Sequence, residues 1–285
     1  MTKTPTSPQW AGFITNFIGK NKTVAATAPT LISAKRFPHG PFQFQIKLSA
    51  GCDYEIQASS DIKTWSTIAS GKAAGELSEY LDSDASKFSF RFYRVLCGEL
   101  VSENILGYTT VTLPPGFSMI SNPLHSDANI VSNLFPEMPE GTTFCKFDTS
   151  VFRLTNNSIK EGRWSNPNEK LVPGEGGILF NPTTDFKTLN FVGNVSQGRL
   201  LNPIPAGLSI RSSLVPQPGR LHTDLGFPIG EGDVVHTFDR DQQKYILYPF
   251  SEDSWERNPP IIGVGEAFWI AKTQPGNWVR NFSVS

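Results

Sequence analysis

Two stretches of the chain repeat each other at a spacing of 91 residues, from Gly107 against Gly198 onward. Leu113-Pro114-Pro115-Gly116-Phe117-Ser118 answers Ile204-Pro205-Ala206-Gly207-Leu208-Ser209. Phe147-Asp148 answers Phe238-Asp239, Trp164 answers Trp255, Gly174-Glu175 answers Gly265-Glu266, and Phe191 answers Phe282. Phe135-Pro136 answers Phe227-Pro228 one position out of step, so a slip intervenes and is later undone. The fold must therefore contain one unit twice. Catalytic sites are usually singular, so tandem copies argue for a scaffold, a binding module or an assembly element.

The punctuation of the chain says what kind of unit this is. Its 285 residues include 24 Gly, 22 Pro and 21 Phe but only 3 Met, with no sustained apolar period of a helix. Many short strands joined by turns, an all-β fold, is the expectation. Net charge is −1 and basic residues are scattered, so the basic face that nucleic acid requires is missing. No run approaches the roughly 18 apolar residues of a membrane helix. Residues 1–30 show no continuous apolar core with a small-residue cleavage site, so no leader is visible.

Four segments follow. Residues 1–37, rich in Thr, Pro, Lys, Ala and Ser, read as an extended N-terminal arm that cannot bury enough apolar surface alone. Trp10, Phe13, Phe17 and Ile18 are its anchors, placed either on the body or on a neighbouring subunit by strand addition. Residues 38–106 read as a small fibronectin-like β-sandwich. Phe42 to Leu48 alternates apolar and polar, Tyr54 to Ala58 does so again, and Phe88 to Val95 does so with a phase slip at Tyr93. Trp65 is expected to plug that core. Residues 107–197 and 198–285 are the two copies, with about six strands each and short helical turns near Ile130–Leu134 and Leu221–Leu225.

Reactive groups are sparse. The histidines 39, 125, 222 and 236 form no metal-binding pair, and no cofactor or metal site is expected. His222-Thr223-Asp224 is a turn rather than half a triad. Ser118 and Ser209 follow Gly-x but lack the closing Gly of a nucleophile elbow, so they read as strand residues. Asp239, Asp241 and Gln243 resemble the start of a cation loop without its later ligands. Glu175 and Glu266 could flank a sugar, but equivalent positions of tandem domains rarely share a cleft. Accepting turn amides is the simpler role. Cys52 and Cys97 could pair, and the odd count of three cysteines fits free thiols equally well. The copies differ at Trp269 and Trp278, where copy 1 has Ile178 and a gap. With Tyr245 and Tyr248 these are the candidate residues for a glycan or protein partner.

The motif Phe42-Gln-Phe-Gln-Ile, then Gly51-x-x-Tyr54-x-Ile56-x-Ala58-Ser59-x-Asp61-x-x-x-Trp65 and Phe90-Arg-Phe-Tyr-Arg94, resembles a β-sandwich module of bacterial secreted proteins. Gly107 to Pro123, with Pro173-Gly-Glu-Gly176, is similar to a segment that often follows it. The resemblance implies extracellular or surface β-modules and supplies no catalytic residues. The resulting expectation is a non-enzymatic building block of an extracellular, cell-surface or virion-like assembly that associates through its arm. The alternative is a glycan-binding or adhesion module.

Overall fold

The computed structural model describes residues 27–37 and 40–283. Its first strands are β1 (Thr30–Arg36), β2 (Phe42–Lys47), β3 (Asp53–Ser59), β4 (Ser66–Lys72), β5 (Leu77–Asp82), β6 (Phe90–Cys97) and β7 (Leu100–Val101). One antiparallel sheet runs β1-β2-β5, and the facing sheet contains β4, β3, β6 and β7. The alternation of β2 drives this: Phe42, Phe44 and Ile46 are buried against Tyr93 and Val95 of β6. β1 lies inside the span read as arm, yet it pairs with β2 from Thr30↔Lys47 to Arg36↔Phe42. It belongs to the sandwich, because Leu31 fills the core. The anchors Trp10, Phe13, Phe17 and Ile18 lie outside the described residues.

Cys52 and Cys97 form a disulfide with Cα atoms 5.9 Å apart, linking the entry to β3 with the end of β6. The bridge closes a separation of 45 residues. Replacing both cysteines with alanine should lower stability by about 2–4 kcal/mol, chiefly by releasing the unfolded chain. Denaturant titration of the two forms measures this, and an unchanged midpoint would contradict it.

Copy 1 comprises β8 (Leu106–Leu113), β9 (Gly116–Ile120), helix α1 (Val131–Leu134), β10 (Thr143–Cys145), β11 (Phe147–Asp148), β12 (Arg153–Leu154), β13 (Asn157–Lys160), β14 (Arg163–Trp164), β15 (Gly177–Asn181) and β16 (Lys187–Asn194). Copy 2 comprises β17 (Gly198–Ile204), β18 (Gly207–Arg211), β19 (Gly219–Arg220), β20 (Val234–Asp239), β21 (Lys244–Ser251), β22 (Ser254–Trp255), β23 (Ile261–Ile262), β24 (Phe268–Lys272) and β25 (Gly276–Phe282). The main sheets run β14-β13-β10-β15-β9 and β22-β21-β20-β24-β18, the same order in each copy. First and last strands pair separately, β8 with β16 and β17 with β25.

β8 also pairs with β6, so the larger sandwich sheet runs β16-β8-β6-β3-β4. The border at residues 106/107 thus falls within β8. Tyr108 is buried in the sandwich core and donates its hydroxyl to the Ala85 carbonyl at 2.6 Å. The slip read at Tyr93 is a consequence. Phe92 and Tyr93 are both buried, on opposite faces, because the outer face packs on Ile105, Leu124, Val195 and Val215. Trp65 sits on that outer side, half-buried beneath the Arg94 guanidinium 4.6 Å from its ring centroid, and does not plug the sandwich interior.

Phe135 and its counterpart Phe227 are core, whereas Phe147, Phe238, Trp164 and Trp255 are half-buried. Register sets Phe282 opposite Gly198 where Gly193 stands opposite Gly107, so Phe191 and Phe282 do not correspond. Phe135 packs with Phe144 and Phe191 in copy 1, and Phe227 with Phe268 and Trp278 in copy 2. Among the described residues no helix is long and apolar enough to cross a membrane.

Candidate interaction surface at the junction of the copies

The two copies meet through a pseudo-twofold contact. Ile120 bridges Glu266, and its counterpart Arg211 bridges Glu175. The Ser121 amide donates to the Gly265 carbonyl at 2.9 Å, and the Ser212 amide to the Gly174 carbonyl at 3.1 Å. The Ser121 hydroxyl reaches the Glu266 carbonyl at 3.1 Å and the Ser212 hydroxyl the Glu175 carbonyl at 2.7 Å. Residue i of one copy meets residue j of the other and the reverse, the signature of an isologous dimer interface, here within one chain. Gly174 and Gly265 adopt left-handed φ values of 90° and 81°, which a side chain would strain. Met119, Ile210, Ala267 and Trp269 fill the contact.

The repeated glutamates serve their own turns. Glu175 Oε2 accepts the Val172 amide at 3.1 Å, and Glu266 Oε2 accepts the Gly263 amide at 2.8 Å. Lys146 adds an ion pair to Glu175 at 2.9 Å. Burial draws the Arg240 guanidinium below its usual range, and Glu266 nearby opposes the shift. Ser118 and Ser209 are buried on β9 and β18, with hydroxyls that have no partner among the described residues. Asp224 accepts the Arg220 amide at 2.9 Å, while His222 lies against the Phe250 ring. Asp239 Oδ1 accepts the amides of Asp241 and Gln242, which makes the acidic loop a turn. Among the described residues no cluster of three or more His, Cys, Asp or Glu could hold a metal ion.

The four candidate aromatics separate into two environments. Trp278 is 0% exposed in the copy 2 core, where its indole donates to the Leu225 carbonyl at 2.7 Å. Tyr248 packs against the same core, with Arg257 over its ring. Trp269 lies at the junction and donates to the Tyr245 hydroxyl at 3.2 Å. Tyr245 alone is exposed, at 42%. The geometry therefore offers no platform shared by the four rings. Register also places Trp278 opposite Asn202, where in copy 1 Leu189 stands opposite Val111. Leu189 occupies the position read as a gap.

The surface that sequence reasoning missed is a groove of about 530 Å³ between the copies, lined by Phe117, Met119, Cys145 and Ile178 from copy 1 and Phe238 and Tyr245 from copy 2. Phe117 packs at a tilt against Phe180 with centroids 4.8 Å apart. Burial, with Glu169 assisting, pushes the Cys145 thiol up, so it behaves as a packed side chain. The groove is apolar and brings no acid, base or nucleophile pair together, so it can receive an apolar side chain. Its walls come from opposite copies, a relation that residue spacing does not express.

No family model and no curated protein matches the chain. Among solved structures it is similar to the FN1–FN3 domains of chicken CNTN1, at 10% sequence identity and a TM-score of 0.22, over 90% of this chain and 99% of that chain.

Proposed function

We propose that the chain is a non-enzymatic, β-rich building block of an extracellular, cell-surface or virion-like assembly, and that its N-terminal segment makes the contacts between subunits. The observation that carries this reading is the pseudo-twofold junction. The residues that the copies share, Gly174-Glu175 with Ser121 and Gly265-Glu266 with Ser212, are spent on joining two β-domains into one block. The carboxylates and serines best suited to hydrolysis hold turns or are buried. The disulfide supports an oxidising compartment, and the resemblance to secreted β-modules points the same way.

Deleting residues 1–26, which spares β1, provides the test. The full-length chain should associate in light scattering at high concentration while the truncated chain remains a monomer with an unchanged melting temperature. Two monomers under those conditions would refute the proposal.

A further inference from the structure

The pseudo-twofold symmetry breaks at the free edges of β9 and β18. The β9 edge is sealed by the hairpin of copy 2. Gln243 Oε1 accepts the Phe117 amide at 2.7 Å, and its Nε2 donates to the Phe117 carbonyl at 3.0 Å. Arg240 adds a bond to the Met119 carbonyl at 3.1 Å. The side-chain amide thus supplies both bonds that a neighbouring strand would make.

The reciprocal hairpin of copy 1 has a matching backbone. Gln243 stands at φ 51° and its counterpart Phe152 at φ 53°. Phenylalanine has no donor or acceptor to offer. Leu208, the counterpart of Phe117, accordingly receives no such seal among the described residues. The glycines before them register the difference. A Cβ on Gly116 would lie 2.5 Å from Gln243, whereas one on Gly207 would meet nothing within 4 Å. Among the described residues nothing fills the space beside Gly207. Phe152 rests edge-on against Phe147, which shares a cluster with Leu208 of β18, and it and its neighbour Val151 are exposed at 65% and 56%. An open strand edge next to exposed apolar side chains is a template for an added strand.

We propose that the edge of β18 at Gly207–Ser209 receives the segment Trp10–Ile18 of a second copy as an added strand. This rests on the assembly reading above. Trp10-Ala-Gly-Phe13-Ile14-Thr15-Asn16-Phe17-Ile18 carries no charge and five large apolar residues, which suits the uncharged edge and its apolar border. Eight residues, 19–26, lie between Ile18 and Thr27, where the described residues begin. An extended spacer of that length reaches about 30 Å, enough to leave the sandwich of its own subunit. Backbone bonds supply affinity in this mode, and Phe152 and Leu208 supply contacts for alternate side chains.

The test uses a fluorescent peptide of residues 8–20 and the body lacking residues 1–26, read by anisotropy. Saturable binding to the body is expected. Phe152→Gln installs in copy 1 the seal that copy 2 already has, and Leu208→Pro removes the edge donor, a change edge strands tolerate. Each should weaken binding at least about tenfold, as expected where main-chain bonds carry affinity. Either variant that melts near the parent decides the question. No binding, or undiminished binding to a folded variant, overturns the site. If full-length chains still associate through residues 1–26 in that case, the assembly reading stands without it. If they do not associate, both fall.

Discussion

Asp233→Ala is expected to destabilise the protein by about 3–5 kcal/mol, the usual cost of stranding one half of a buried ion pair. Asp233 is fully buried and pairs with Lys272, itself nearly buried. The carboxylate also accepts the Gly230 amide at 2.7 Å and the Thr273 amide at 2.8 Å. The Lys272 ammonium also donates to the Pro228 carbonyl at 2.7 Å. Removing the carboxylate leaves an ammonium in the interior and two amides unpaired. Copy 1 holds Thr142 and Asn181 at the same two places, a neutral solution to the same packing problem. The double change Asp233→Thr with Lys272→Asn should therefore cost less than Asp233→Ala alone. Urea titration of the three proteins decides, and a double variant worse than the single one would contradict the account.

Trp278→Ala should cost about 3–5 kcal/mol, the range for deleting a large aromatic side chain from a core. The indole packs edge-on against Phe227 at 5.0 Å and beside Phe268 at 6.2 Å. Its N–H bond to Leu225 is lost as well. The measurement is the thermal midpoint together with the near-ultraviolet signal. A variant that melts like the parent would return Trp278 to the list of surface binders.

The duplication and the strand character were legible because they rest on local signals. Phe42, Phe44 and Ile46 alternate, and each is buried. The role of the Gly-Glu pairs as turn acceptors is legible too, because a carboxylate beside Gly at a strand entry has amides within reach. Partnership across the chain was not legible. β8 is buried along most of its length, so its residues do not reveal that one edge serves β6 and the other β16. Lys187–Asn194 finds its partner with no local turn to announce it. Trp278 looked unmatched because an insertion shifts the spacing, while register aligns it with Leu189. At the junction the sequence showed that Glu175 and Glu266 correspond. It did not show that each faces the other copy's set.

Fusing two copies into one polypeptide has a consequence that a pair of separate subunits could never reach. In a true homodimer every substitution appears twice, so a glutamine that seals one edge seals both, and a phenylalanine that leaves one open leaves both open. With the halves encoded separately, Gln243 and Phe152 could diverge at one backbone position. The block thereby acquires a direction, one flank sealed by a glutamine and the other carrying a phenylalanine in its place. Contacts between unlike surfaces close into rings or run on as filaments, whereas a self-complementary face stops at two.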